Sequence, residues 1–181
     1  MIAYNICFIR QGNSFLLLNR EFPSWMGCWN GVGGKLEKHE SPRPSMIREI
    51  GEETGLSESE YRLEYKGLVS WTVDRHRFGG MYLYVAGVSE DAEYRTPVKT
   101  AEGILDWKAM EWILHPDNRG IAASIPAIMK YLFEPSPYHH HCTYLDGKLA
   151  AVSSEAIDAA TEDSVKMEEY VKSFEFSHAV K

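Results

Sequence analysis

The sequence predicts a mixed α/β (α+β) domain. Three observations carry that expectation. Strand-like segments rich in β-branched and aromatic residues are interleaved with stretches of helical character. Short turn signals join neighbouring apolar runs into hairpins. The 181 residues are 44% hydrophobic and 25% charged, which suits one sizeable core in a globular chain.

The elements follow in order. IAYNICFIR (2–10) and SFLLLNR (14–20) flank Gln11-Gly12-Asn13 and read as a hairpin. Residues 21–34 are rich in Gly and Trp and read as a loop with at most a short strand. A helix is expected after Ser41. Ser41 suits the N-cap, Pro42 suits the first helical position, and Pro44 still falls in the first turn, where amides have no intrahelical acceptor. Gly55 is its natural stop. RLEYKGLVSWTV (62–73) and GGMYLYVAGV (79–88) are strand-like about a turn at 74–78, and GILDWKAMEWI (103–113) reads as a strand running into a short turn. RGIAASIPAIMKYLF (119–133) reads as a helix in which Pro126 implies a kink or a late start. YHHHCTYL and KLAAV flank Asp146-Gly147, a strong hairpin signal. From Ser153 onward the chain looks like a capped, acidic helix over 154–174. The expected organisation is a domain over 1–152 and a helical extension over 153–181.

Composition narrows the function. The formal net charge is -7 and no Lys/Arg run stands out, which argues against a partner made of long nucleic acid. Three widely spaced cysteines without a C-x-x-C, and a start with no basic stretch before a long apolar run, point to reduced thiols in a cytoplasm. No apolar stretch approaches the ~20 residues of a membrane span.

The most informative stretch is GGKLEKHESPRPSMIREIGEETGL (33–56). At about 100° per residue, Met46, Ile47, Ile50 and Thr54 share one face of the expected helix. Glu49, Glu52 and Glu53 cluster beside it. A charge run is usually a solvated face. Glu49 and Glu53 at i,i+4 repel, however, and Arg48 offers the obvious relief within the helix. Carboxylates held this close make sense around hard divalent cations, which favour oxygen ligands and serve phosphate chemistry.

The spacing Gly34-x5-Glu40-x7-Arg48-Glu49-Ile50-x-Glu52-Glu53-x-Gly55-Leu56 resembles the Nudix box at every fixed position. The resemblance implies the Nudix fold, a mixed β-sheet sandwiched between α-helices, and a loop–helix–loop that binds Mg2+ or Mn2+ and hydrolyses a nucleoside diphosphate linked to another group. By motif position it implies Glu52 and Glu53 as the metal-binding pair, Glu49 as a further ligand or base, and Arg48 as the residue that orients Glu49. It implies a metal contact from the Gly33 carbonyl and a supporting role for Glu40. Glu102, in TAEGILDW, stands where such enzymes often place one more acid, as ligand or base; otherwise it is an exposed loop carboxylate. Which of Glu49, Glu53 and Glu102 accepts the proton stays open.

Immediately before the box, WNGVGGK (29–35) is similar to the W-N-G-x-G-G-K of MutT-type members that act on oxidised purine nucleotides such as 8-oxo-dGTP. That similarity implies substrate contacts from Asn30 and Lys35, with Asn30 against the base; the other reading of Asn30 is a turn-former. LHPDNRGIA (114–122) resembles the segment that brings Asp or Asn to the base, which singles out Asp117 and Asn118; the other reading is helix capping. Trp25, Trp29 and Trp107 read as packing residues before stacking ones. His139–His141 alternate faces on a strand, so all three cannot ligate one ion, and Cys28 has no evident base partner. The function implied is cleavage of a nucleoside triphosphate to the monophosphate and pyrophosphate. The alternatives are hydrolysis of ADP-ribose, a nucleotide sugar or a capped RNA, and a silent ligand-sensing module. The expected assembly is a monomer or a homodimer.

Overall fold

The computed structural model describes residues 2–179. Among them nine strands form one mixed sheet: β1 (Tyr4–Gln11), β2 (Ser14–Arg20), β3 (Trp29–Asn30), β4 (Tyr61–Val73), β5 (Arg77–Val88), β6 (Val98–Lys99), β7 (Gly103–Ala109), β8 (Tyr138–Leu145) and β9 (Lys148–Ala156). Their order is β6-β7-β2-β1-β5-β4-β8-β9, with β3 paired to β2 off this path. β1 runs parallel to β5 and β4 parallel to β8; the other neighbours are antiparallel. Four α-helices accompany it among these residues: α1 (Pro42–Thr54), α2 (Met110–Ile113), α3 (Ile125–Ile128) and α4 (Ser164–Ala179). This is the mixed sheet between helices that the sequence predicts.

Strand alternation sorts the core into two layers. Ile9, Leu16, Leu18, Leu68 and Tyr84 face α1 and α4, packing with Met46, Ile50, Met167 and Val171. Phe8, Phe15, Leu17, Leu83 and Val85 face the other way, onto Ile113, Ile125 and Ile128 of α2 and α3. The sheet is therefore covered on both faces.

The boundaries of α1 follow local chemistry. Pro42 opens it, and Gly55, at φ 77°, closes it by donating its N–H to Gly51 O at 2.9 Å. Ser41 sits at the N-cap without a side-chain cap bond. One residue departs from the helical wheel: Glu49 is buried with Met46 and Ile50, whereas Ile47 is half-buried.

Two expected helices begin later than residues 119 and 154, the first with the late start that Pro126 implies. The helix expected over 119–133 starts at Ile125 and tightens into a 3₁₀ turn over Met129–Phe133. Residues 120–122 are held by Trp29 instead: Trp29 N–H donates to Gly120 O at 2.7 Å, and Ala122 N–H to Trp29 O at 3.0 Å. The helix expected from residue 154 starts at Ser164, because 153–156 pair with His141–Tyr138 as the end of β9. Asp163 then caps α4, its Oδ1 accepting from the Val165 and Lys166 amides. The parallel β4–β8 pairing begins at Gly67, where φ is 114° and a Cβ would collide with Tyr138 O.

Candidate active site

The site forms where β1 and β2 part. Near their turn, Ile9–Gln11 pair with Leu16–Ser14. Further out the strands diverge and residues 29–35 fill the fork. β3 pairs with Leu18 and Asn19, while Val32 and Lys35 bridge to Cys7 and Tyr4. Glycine is required here. Gly33 has φ 143°, and a Cβ on it would lie 2.5 Å from Asn5 O. A Cβ on Gly34 would lie 2.6 Å from both carboxylate oxygens of Glu49. The Gly-Gly pair thus lets the main chain approach the acidic face of α1.

Arg48 is the hub of that face. Its Nε and Nη2 donate to Glu40 at 3.0 and 2.9 Å, and its Nη1 donates to Glu49 at 2.9 Å and to Glu52 at 3.1 Å. The fork-shaped grip on Glu40 holds that carboxyl down at about 2. One guanidinium cannot neutralise three carboxylates as well as those behind them. Burial raises the Glu49 carboxyl above the ordinary range, against the pull of Arg48. Glu53 is pushed up to about 8, first by burial, with the Glu49 and Glu102 charges adding to it. The Gly33 N–H donates to Glu53 at 3.3 Å and offsets part of this. Glu52 is the open member, its side chain 61% exposed, so its pairing with Arg48 contributes little to stability.

Glu102 reaches the same region from the β6–β7 turn, close enough for its charge to act on Glu53. Its own carbonyl accepts from the Glu21 N–H at 2.9 Å, which ties this turn to the loop after β2. Glu21 also pairs with Lys99.

Behind the carboxylates lies a cavity of about 600 Å³. Its walls are mostly apolar and include Phe8, Val69, Met81, Ile125 and Ile128; Gly33 and Gly34 form its rim toward Glu53 and Glu49. Asn30 lines it, with its own Oδ1 accepting from Gly31 N–H at 2.9 Å. The other expected substrate contacts lie elsewhere. Lys35 gives its carbonyl to Arg48 and is not among the lining residues. Asp117 is exposed on the loop after α2. Asn118 spends both ends of its carboxamide on that loop, donating to Trp112 O at 2.8 Å and accepting from Gly120 N–H at 2.9 Å. Neither lines the cavity.

Other lining residues carried no local signal. Arg20 ends β2 as one cation after an apolar run, yet it lines the cavity and supplies a counter-charge to Glu53. Trp71, Ser124 and Tyr144 reach the cavity through long-range pairing of β4 and β8 and the late start of α3. Of the three histidines, His139 and His140 are buried and His141 is half-buried. His139 Nε2 and His141 Nδ1 both bond Ser70 Oγ, at 2.6 and 2.7 Å, on the α4 side, while His140 bonds Ser154 on the opposite face. Cys28 is half-buried and Cys7 and Cys142 are buried, all three free.

The donor set fits a hard divalent cation by its chemistry. Glu49, Glu52, Glu53 and Glu102 offer carboxylate oxygens beside a close-approaching main chain, with more negative charge than Arg48 and Arg20 balance. As they stand, among the described residues, no three His, Cys, Asp or Glu side chains are close enough together to hold an ion.

A family model described as the NUDIX domain matches residues 1–127. The chain belongs to the Nudix family. A curated relative, the uncharacterized Nudix hydrolase YvcI of Bacillus subtilis (strain 168), is 29% identical over 102 residues. That match spans 56% of this Nudix chain and 61% of the relative's length. The solved MutT protein of Bacillus halodurans superposes with a TM-score of 0.65 at 26% identity, covering 84% of this chain and 96% of that one. The NUDIX domain of Shewanella oneidensis NrtR, solved with ADP ribose, shares the fold: TM-score 0.56, 17% identity, 72% and 85% covered. Among the described residues no helix is long and apolar enough to cross a membrane.

Proposed function

We propose that this Nudix chain hydrolyses a nucleoside triphosphate, in the presence of Mg2+ or Mn2+, to the nucleoside monophosphate and pyrophosphate. One observation carries the reading: a crowd of under-neutralised carboxylates stands next to Gly33 and Gly34, which line an apolar cavity large enough for a nucleoside. A triphosphate attached to a base needs both halves.

Glu49, Glu52, Glu53 and Glu102 are the side chains that would hold the cation, with the Gly33 carbonyl as a main-chain ligand. When bound it supplies neutralisation of the diphosphate and a more acidic water. Arg48 fixes Glu49 by its 2.9 Å ion pair. Glu49, Glu53 and Glu102 are the candidates that would accept the proton from the attacking water. The apolar cavity takes the nucleoside and excludes water from it, and Asn30 offers a donor and an acceptor to a base edge.

Oxidised purine nucleotides such as 8-oxo-dGTP are the finer form of the proposal, supported by WNGVGGK and by the MutT neighbour. Asp117 and Asn118 lend it no support, since neither lines the cavity. The test is a substrate panel with Mg2+: normal and oxidised dNTPs, ADP-ribose, nucleotide sugars and dinucleoside polyphosphates, scored for phosphate against pyrophosphate. Pyrophosphate from a dNTP is expected. Cleavage of ADP-ribose or a nucleotide sugar with no pyrophosphate from any dNTP would transfer the assignment to nucleoside diphosphate derivatives.

A further inference from the structure

The cavity is closed at one side by two aromatic rings from distant parts of the chain. Trp25 comes from the loop between β2 and β3, and Tyr144 comes from β8; both line the cavity. Their centroids lie 6.2 Å apart with planes inclined at 56°. Tyr144 belongs to the β8–β9 hairpin, which lies beyond residues 1–127 where the family model matches.

The two rings are mounted differently. Trp25 rides on a loop whose bonds run back to its own stem: Asn19 Nδ2 donates to Gly27 O at 3.0 Å, Arg20 Nε to Ser24 O at 3.0 Å, and Gly27 N–H to Arg20 O at 2.8 Å. Its ring is 37% exposed, and Phe22 and Met26 beside it are more exposed still. Tyr144 is fixed in a strand between β4 and β9 and half-buried. One ring is thus on a small surface loop and the other on the sheet.

A nucleobase offers two flat π faces. Holding it between two rings takes two stacking distances of about 3.5 Å each, a little more than the present 6.2 Å. Opening that slot takes a separation larger by about 1 Å and rotation of one ring out of the present 56° inclination. The first residue of the loop, Glu21, is hydrogen-bonded to Glu102, so the ring that grips the base shares a mounting with the carboxylate turn.

We propose that Trp25 and Tyr144 form an aromatic clamp on the planar base of the substrate, and that this clamp makes the chain select nucleobase-bearing polyphosphates over base-free ones. The proposal rests on the nucleotide reading above and goes beyond it in assigning the selecting residues. The experiment measures binding by calorimetry in Mg2+, using an α,β-methylene purine nucleoside triphosphate that resists cleavage and inorganic tripolyphosphate as the base-free probe. Trp25→Ala and Tyr144→Ala should each weaken the nucleotide analogue roughly 5- to 150-fold, with tripolyphosphate affinity unchanged. Trp25→Phe and Tyr144→Phe, which keep a flat ring, should stay within a few-fold of the natural chain. Unchanged nucleotide affinity in the alanine variants, or equal weakening of both probes, overturns the clamp, as does a natural chain that does not bind the analogue. Failure of the hydrolase reading shows up separately, as a protein that binds the analogue through both rings and cleaves nothing in the substrate panel.

Discussion

The glutamates around Arg48 and the histidines of β8 are two runs of titratable residues that ended in opposite circumstances. The glutamates crowd one exposed-to-buried gradient with too few cations, and Glu53 is left with a carboxyl raised to about 8. The histidines are buried or half-buried, and five of their six ring nitrogens have hydrogen-bond partners, three of them through Ser70 and Thr72. His139 is further packed against Tyr170 and Phe174 of α4. Crowding of titratable groups does not by itself mark a functional site. The glutamates differ in that their charge is left under-compensated beside a cavity.

Four measurements would break or sharpen this contrast. The largest effect is expected from Glu52→Gln combined with Glu53→Gln, which should remove hydrolysis and also the rise in melting temperature that a divalent cation gives the natural chain. A double variant that still turns over substrate would falsify the assignment of the carboxylates. Next comes Arg48→Ala, which releases Glu40, Glu49 and Glu52 together; a fall of roughly 10- to 100-fold in kcat/KM is expected. Arg48→Lys should rescue little, because a point charge cannot replace the fork.

The histidine side predicts the reverse pattern. Ser70→Ala strips a partner from both His139 and His141, so denaturant unfolding should show a loss of about 1–3 kcal/mol while kcat/KM stays within a few-fold. A large drop in turnover without loss of stability would mean that the histidine network takes part in catalysis. The last test uses pH. Burial lowers the His140 pKa from 6.5 to about 4. Above pH 6.5 the ring is neutral in both states. Between pH 6.5 and 4 the unfolded chain takes up a proton that the fold refuses, so stability should decline as pH drops through that window and then level off. The decline attributable to His140 over the whole window is on the order of 3 kcal/mol. Unfolding curves at pH 7 and pH 4.5 for the natural chain and His140→Phe read it directly; equal pH dependence in the two would show that His140 is not the group responsible.

What was legible in the sequence is what local chemistry decides. The ends of α1 follow from Pro42 and Gly55, and the β8–β9 turn follows from Asp146-Gly147, which sit at φ 50° and 72°. The acidic cluster was legible because its members lie on one helix. What stayed hidden depends on partners far along the chain. Residues 120–122 look helical until Trp29 claims their backbone, and 153–156 look helical until β8 does. Asn118 resembles a base contact in its local context, but its carboxamide goes to Trp112 and Gly120. Arg20 and Tyr144 join the cavity only because the fork between β1 and β2 and the β4–β8 pairing bring them there.

The parallel seam between β4 and β8, which starts at Gly67, also sets an order of events in time. Arg48 and the clustered glutamates all lie in the first 102 residues, so a ribosome delivers them early. The seam joins residues about seventy positions apart, and contacts so distant in the chain form slowly. The part of the cavity wall that Cys142 and Tyr144 supply is thus added last, and a nascent chain passes through a stage at which it holds its carboxylates beside an incomplete cavity.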